Sequence, residues 1–391
     1  MFGAIPDPGG PVSIYGRELQ TEYVAKRFFR KRIAMIGFIK RKLYPVASKL
    51  LSHAILVEGR LKGAEQSFRC LFVSNSRFTE YLKARIYEEA PVVLRRWRIF
   101  IPLLRNFLGK QRDAFDLCVA VIPKGYDPVF RALCDYKCTE FVQQIIDTSG
   151  SWEDVRSRFS KTRHQITNRF VEKTGLDYRI SHDLQEFDHF YHRMFVPHIQ
   201  KRYGDLSDIE SYEEMKEFFL RGLLLFVTKG NEAVAGALCL VQDGTLVFRR
   251  AGVLDGDETH IKVGAQTALY YFQIRYAMDQ HLHAVDTMAS VSLLNDGVYL
   301  HKRGWGAAVY PYGGSHNWVY FFHAGPSQKI ARFFADNPLI AHSDQGLAGI
   351  VGIADASSVS DETIQDLIRQ YRAGGLHGFT VVTPGGTIKV S

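Results

Sequence analysis

The chain has 391 residues, more than one ordinary hydrophobic core accommodates, so two or three structural units are expected. Apolar residues make up 46% and charged residues 23%, a balance that excludes wholesale disorder and a polytopic membrane protein. The formal charge of +8 is concentrated early in the chain and suits a phosphate-bearing partner: nucleic acid, anionic lipid or a phosphorylated substrate.

The first ten residues, MFGAIPDPGG, lack the charged region and apolar core of a secretory signal. No acidic residue lies between Tyr23 and Val57, whereas Lys26, Arg27, Arg30, Lys31, Arg32, Lys40, Arg41, Lys42 and Lys49 all fall there. Phe28, Phe29, Ile33, Ile36, Phe38, Ile39, Leu43, Val46, Leu50 and Leu51 are interspersed at roughly helical spacing, with Pro45 as a kink or boundary. Residues 1–58 read as a basic amphipathic helical arm. Three roles are open to it: a lid packed on the first domain, a membrane-surface attachment through residues 24–51, or a nucleic-acid arm. The apolar run 33–39 is far short of a membrane span. The expected location is the cytoplasm, with peripheral contact at the inner face of the cell membrane as the variant of that reading.

Between residues 59 and 176 the pattern is mixed, and 68–73, 117–123 and 141–146 read as buried strands. The five cysteines, Cys70, Cys118, Cys134, Cys138 and Cys239, contain no CxxC pair, which argues against a disulfide framework or structural zinc. Cys118 and Cys239 lie in apolar strand-like runs and are expected as small buried hydrophobes. Ser151, with Asp154 three residues on, predicts a helix start. Trp152, Val155, Phe159, Ile166 and Phe170 then give one helical stripe, which also carries Arg156, Arg158, Lys161, Arg163, Arg169 and Lys173.

After Gly175 the pattern predicts a short strand at 178–181, a helix over 184–203 interrupted or kinked by Pro197, and a second helix over 212–220. Residues 223–228, 234–241 and 245–253 form a three-strand meander, turned at Lys229-Gly230-Asn231-Glu232 and at Gln242-Asp243-Gly244. Ala265, Ala268, Leu269, Phe272 and Tyr276 fall on one helical face, and 283–288 reads as the next strand. Strand, helix and strand in this order predict a parallel crossover, with a ligand crevice at the carboxyl ends of the strands beside the helix N-terminus. From residue 326 onward, a strand at 348–353, a helix over 361–371 opened by Ser360 and a strand at 379–382 predict a small α/β appendage.

Taken from residue 178, the order is one strand, two helices, three antiparallel strands, a helix, a strand and a final helix and strand. This resembles the GNAT fold of the N-acetyltransferase superfamily and, within it, the FemAB-like group. Three segments carry the resemblance. Residues 152–170, with Ser160, Lys161 and Arg163, are similar to the basic helix before that group's second domain. Val234-Ala235-Gly236-Ala237-Leu238 resembles its second strand, and Lys302-Arg303-Gly304-Trp305-Gly306 resembles its closing Lys-x-Gly-aromatic-Gly element. The match covers about 150–310 well and 60–150 poorly.

The resemblance implies an α/β (α+β) architecture of tandem GNAT-like domains with mixed, largely antiparallel sheets. Its expected parts are the arm (1–58), a degenerate first domain (59–176), a second domain carrying the active crevice (177–325) and the appendage (326–391). It also implies transfer of an acyl or aminoacyl group to an amine by direct attack. The donor is a co-substrate, an aminoacyl-tRNA, an acyl-CoA or an acyl carrier protein, with no tightly bound cofactor. A non-catalytic protein of the same fold, binding nucleic acid or an anionic membrane, is the alternative. Acetyl-coenzyme A enzymes of this fold carry Gln/Arg-x-x-Gly-x-Gly/Ala before the central helix. Here residues 260–266, HIKVGAQ, supply no register with both the leading residue and the two small ones, which lowers the expectation of that donor.

Acyl transfer needs a neutral amine, an electrophilic carbonyl and a hydrogen-bond donor aimed at the developing oxyanion, but no metal. Lys302 is expected to stabilise that oxyanion or a donor phosphate, against the alternative of a solvated helix-end lysine. Asp286, ending its strand, is expected to orient or deprotonate the acceptor ammonium, against a carboxylate bonded to backbone or paired with Arg249 or Arg250. Arg249 and Arg250, adjacent on a strand, are expected to point to opposite faces, one of them into the crevice. Lys262 and Gly264 could hold a donor phosphate, and Arg156, Lys161 and Arg163 could bind donor phosphates across the domain cleft. Asp296, in Asn295-Asp296-Gly297, reads as a turn or cap residue. His281, His283 and His301 have no ligand spacing, and no serine has a nucleophile-elbow sequence.

Overall fold

The computed structural model describes residues 50–74, 76–204 and 209–390, so the basic arm up to residue 49 lies outside the described residues. Strands β1 (Leu51–Arg60) and β2 (Ser67–Val73) pair antiparallel, helix α1 (Arg77–Ile86) follows, and β3 (Val92–Phe100) returns to the outer edge of β1. Past a short helix, Leu104–Lys110, come β4 (Leu117–Pro123), a single turn of helix (Asp127–Phe130), β5 (Tyr136–Cys138), β6 (Phe141–Asp147), α2 (Trp152–Ser157), α3 (Lys161–Lys173) and β7 (Leu176–Ser181). The chain continues through α4 (Leu184–His189), α5 (Val196–Tyr203), α6 (Tyr212–Phe219), β8 (Leu223–Lys229), β9 (Glu232–Gln242) and β10 (Thr245–Val253). After these lie α7 (Glu258–Lys262), α8 (Ala265–Asp279), β11 (Ala284–Val291), α9 (Gly297–Gly304), β12 (Ala308–Pro311) and β13 (Asn317–His323). The C-terminal elements are α10 (Gln328–Asp336), β14 (Leu339–Ser343), β15 (Gly346–Gly352), α11 (Asp361–Tyr371), β16 (Leu376–Thr383) and β17 (Gly386–Val390).

The strands form three sheets, ordered β3-β1-β2-β4-β13-β5, β12-β6-β11-β10-β9-β8-β7 and β14-β15-β16-β17. Each of the first two sheets contains one parallel pair, β2–β4 and β10–β11, among antiparallel neighbours. From β7 to β12 the elements follow the expected order with α7 added, the appendage gains α10, β14 and β17, and the architecture is α/β with tandem mixed sheets. The segments 59–176 and 177–325 do not each keep to one sheet. β6 sits between β11 and β12 in the second sheet, and β13 sits between β4 and β5 in the first. The halves have exchanged strands, and residues 139–140 and 312–316 are the crossings.

The side-chain pattern explains the layers. In β4, Leu117, Val119 and Val121 enter one core while Cys118, Ala120 and Ile122 enter another, so both faces of the strand are covered and it reads as a continuous apolar run. β8 divides in the same way, with Leu223, Leu225 and Val227 under α8 and with Leu224 and Phe226 against the α4–α6 side. Asp243 and Gly244 both take positive φ, 47° and 72°, which gives the tight β9–β10 hairpin the twist its strands need. The third sheet packs across both halves. Phe333 of α10 stacks on Phe68 of β2 at 5.9 Å, while Ile340 and Leu347 share a core with Val142, Tyr299 and Val309.

Two helical expectations need correction. Residues 152–170 form two helices rather than one, because Ser160 starts a new N-cap, its hydroxyl accepting from the Arg163 N–H. Ser151 and Asp154 form the expected capping box of the first. In the 184–203 segment a π-helical turn over 190–195 joins α4 to α5, ahead of Pro197, whose missing N–H cannot continue an α-helical ladder. This turn crosses β10 at Gly252, where an added Cβ would lie 2.4 Å from the Met194 carbonyl carbon. Among the described residues no helix is long and apolar enough to cross a membrane.

Candidate active site

β10 and β11 pair in parallel only from Thr245–Ala284 to Val247–Asp286. β11 then bulges, with Met288 at φ 65° and its register against β6 slipping between Asp286 and Ala289. β10 bulges too, against β9, between Phe248 and Arg250. Beyond Val247 the edge of β10 that faces β11 has no strand partner among the described residues. The crevice expected at the carboxyl ends is therefore an interrupted ladder.

Asp286 and Lys302 hold that interruption in place. Asp286 does not end its strand, because the bulge lets β11 continue to Val291. Its Oδ1 accepts from the Met288 N–H at 2.8 Å and its Oδ2 from Gln143 Nε2 at 2.6 Å. Lys302 is 4% exposed rather than solvated, and its Nζ donates to the carbonyls of Met288 at 3.1 Å and Ala289 at 2.9 Å. Burial draws its pKa down to about 8, while the charges of Asp286 and Asp296 oppose that shift. Asp296 is the N-cap of α9, accepting from Val298 and Tyr299 N–H at 2.9 and 3.1 Å, and its other oxygen accepts from the Tyr81 hydroxyl at 2.6 Å. Gln144 completes the stitching: its Nε2 donates to the Tyr299 carbonyl, and its Oε1 accepts from the Ser290 hydroxyl.

Arg249 and Arg250 do not point to opposite faces. The extra residue at the β10 bulge breaks the alternation, and both guanidiniums donate to Glu210 Oε1, at 2.8 and 2.7 Å. Arg249 also lies over the Phe218 ring at 4.4 Å. Glu210 Oε2 is buried with no partner among the described residues, so this triad carries a net positive charge and one open acceptor.

Of the helical cations, Arg163 is brought inward. It donates to His301 Nδ1 at 2.9 Å and lies 5.3 Å over the Trp305 ring. Because guanidinium only donates, His301 carries its proton on Nε2, which has no partner among the described residues. Burial, with Arg163 next, draws the His301 pKa down to about 4, and burial also lowers that of Arg163. The residues 152–170 and 302–306, singled out separately in the sequence, pack on one another. Ser160 N–H donates to the Gly304 carbonyl, Phe159 meets Trp305 edge-on at 5.2 Å, and Gly306, at φ 78°, passes against Arg158. Arg156 is half-buried near Tyr271, and Lys161 is exposed.

The loop before α8 has two of its backbone N–H groups engaged, while the first turn of α8 has no side-chain cap. Its residues form the one-turn helix α7, so the Val263 and Gly264 N–H groups already bond to the Thr259 and Ile261 carbonyls. Gly264 is the N-cap of α8 at φ 96°, and Lys262 is exposed and pairs with Glu258 at 3.3 Å. Sequence reasoning missed Glu210 and His301 as site members. For His301 a signal existed, since it lies four residues before Trp305 on one face of α9; for Glu210, brought in by a bulge, there was none.

No family model matches the sequence, and no curated protein matches it. Solved structures with a similar chain trace include L-PGS from Bacillus licheniformis, at 12% identity and a TM-score of 0.35, over 68% of this chain and 83% of that one. FemX is matched at 11% identity and a TM-score of 0.37, over 69% of this chain and 84% of its own. A GCN5-related N-acetyltransferase from Anabaena variabilis is matched at 9% identity and a TM-score of 0.28, over 73% of this chain and 61% of its own. The architecture stands on the strand order and crossovers described above and takes nothing from these likenesses.

Proposed function

We propose that the chain transfers an acyl or aminoacyl group from an activated donor to an amine at the crevice between β10 and β11. The observation that supports this reading is the parallel ladder that stops after Val247 and Asp286. It leaves the β10 edge beyond Val247 without a strand partner among the described residues and open to an extended donor arm as an added strand, apart from the Arg249 carbonyl, which accepts from Arg250 Nη1. The acceptor's neutral amine attacks the donor carbonyl, the N–C bond forms, the donor's C–S or C–O bond breaks, and the amine proton passes to the departing sulfur or oxygen, which leaves as the free thiol or hydroxyl. N–H groups on the open edge of β10 are placed to meet the developing oxyanion. Lys302 and Asp286 serve as positioning residues, since both act on the crevice through the backbone of the β11 bulge. Arg163 and the Arg249–Arg250–Glu210 triad supply positive charge for a phosphate-bearing donor. The engaged Val263 and Gly264 N–H groups count against free acetyl-CoA, and the guanidiniums suit an aminoacyl-tRNA donor.

The test offers the full chain labelled aminoacyl-tRNA, acyl-CoA and acyl carrier protein with a mixture of amines, and follows both amide formation and thermal stability. One donor is expected to stabilise the chain and yield amide. No product and no stabilisation with any of the three would sink the reading.

A peripheral contact with an anionic bilayer is favoured by β3. This edge strand exposes Val92, Val93, Leu94 and Phe100 together with Arg95, Arg96 and Arg98. Flotation with anionic vesicles is expected to fail when the three arginines are changed to glutamate, and unchanged flotation would remove β3 from any membrane role.

A further inference from the structure

A cavity of about 600 Å³ lies in the first half, where β2, α1 and β4 repeat the parallel crossover of the second. Val121 and Pro123, at the carboxyl end of β4, line it, as does Ser76, the N-cap of α1. It is the counterpart of the β10–β11 crevice, but its chemistry is inverted. Glu140, in the two-residue crossing from β5 to β6, faces this space together with His316, and no lysine or arginine lines it. The Ser76 hydroxyl accepts from the Phe78 N–H and donates to Glu140 Oε1, so the chain's own carboxylate lies beside the N-cap of α1. Asn317, opening β13 at the return crossing, donates to Glu140 Oε2 at 3.5 Å. No described cation pairs with Glu140. The second polar signal is Ser52: it is 3% exposed, lines the cavity, and its hydroxyl has no partner among the described residues.

We infer that this cavity binds a primary amine with an apolar body. An anion is repelled by the Glu140 carboxylate, which is held beside the α1 N-cap by the Ser76 hydroxyl. An ammonium finds there a carboxylate whose two oxygens each keep a free lone pair, with Ser52 as a second polar contact and Ile101 and Tyr126 as apolar wall. Binding stands on the cavity alone; that the amine is the acceptor of the transfer rests on the function proposed above. The backbone joins the two sites, because Gln143, which bonds Asp286, is three residues along β6 from Glu140, roughly 10 Å of strand.

The test titrates the full chain calorimetrically near neutral pH with hexylamine, hexanol and hexanoate. Saturable binding of hexylamine alone is expected, weakened about tenfold or more by Glu140→Gln. Ile101→Phe, which narrows the cavity and keeps the carboxylate, should weaken it. Circular dichroism confirms that each variant is folded, and donor-induced stabilisation reports the second half separately. Equal binding of hexanoate, or hexylamine binding untouched by either folded variant, overturns the proposal. If the amine binds through Glu140 but no donor yields product, the cavity stands and the transfer reading falls. If amide forms with the same amine KM in Glu140→Gln, transfer stands and the assignment of the cavity amine as its acceptor falls.

Discussion

In the first half β2 and β4 pair in parallel from Cys70–Leu117 to Val73–Ala120, and in the second β10 and β11 pair from Thr245–Ala284 to Val247–Asp286. Beyond those pairs the two crevices diverge in charge. The first meets α1 at a serine cap bonded to Glu140, whereas α8 in the second begins at Gly264 with no side-chain cap, and Arg163 and the Arg249–Arg250 pair stand nearby. One backbone device thus presents a carboxylate in one half and guanidiniums in the other. The exchanged strands β6 and β13 make the halves depend on each other, so a disturbance of one crevice can be tested for its effect on the other.

The largest effect is expected from Gly252→Val. Its Cβ would meet the Met194 backbone at 2.4 Å, where no rotamer relieves the clash, so the π-turn and α5 must lift off β10. A loss of about 3 kcal/mol or more is expected by chemical denaturation, and donor binding should fail before amine binding does. Equal loss of both would mean that the crevices are one cooperative unit.

Lys302→Met comes next. It leaves the Met288 and Ala289 carbonyls unpaired, with an expected cost of about 2 kcal/mol near neutral pH. Its pH dependence is diagnostic. The folded pKa of about 8 lies below the usual 10.5, so the folded chain releases this proton first, and wild-type stability should rise relative to the variant from about pH 8 to 10.5. A flat difference would show that the ammonium is not desolvated. His301→Gln probes the acid side. With a folded pKa of about 4 against 6.5, wild type should lose roughly 2 kcal/mol relative to the variant between pH 6.5 and 5, since the unfolded chain takes up the proton first.

What the sequence disclosed follows from how local each signal is. The β8–β10 meander, the α8 crossover and the Ser151 capping box are written in neighbouring residues: Asp243-Gly244 sets a hairpin, and apolar spacing sets a helix face. The exchange of β6 and β13 was hidden because an apolar strand does not state which sheet it will join. β3 was missed because an edge strand with Arg95, Arg96 and Arg98 exposed shows little buried alternation. The sequence placed Asp286 and Lys302 near one strand end, but it did not show the bulges. A bulge adds one residue without marking it, and it is what brings Arg249 and Arg250 to the same carboxylate and turns Asp286 onto its own backbone.

The smallest effects separate two caps of the same kind. Ser151 caps α2 by accepting from the Asp154 N–H, and Ser76 caps α1 by accepting from the Phe78 N–H. Replacing either with alanine should cost about 1 kcal/mol, the ordinary value of a lost N-cap. The two hydroxyls differ in where their protons go. That of Ser151 returns to Asp154 within its own capping box, whereas that of Ser76 holds Glu140 at the cavity. Ser151→Ala should therefore lower stability and leave amine binding unchanged, while Ser76→Ala should lower stability by a similar amount and also weaken hexylamine binding. Were the two variants to affect amine binding alike, Ser76 would be only a cap, and the contrast drawn between the two helix N-termini would lose its basis.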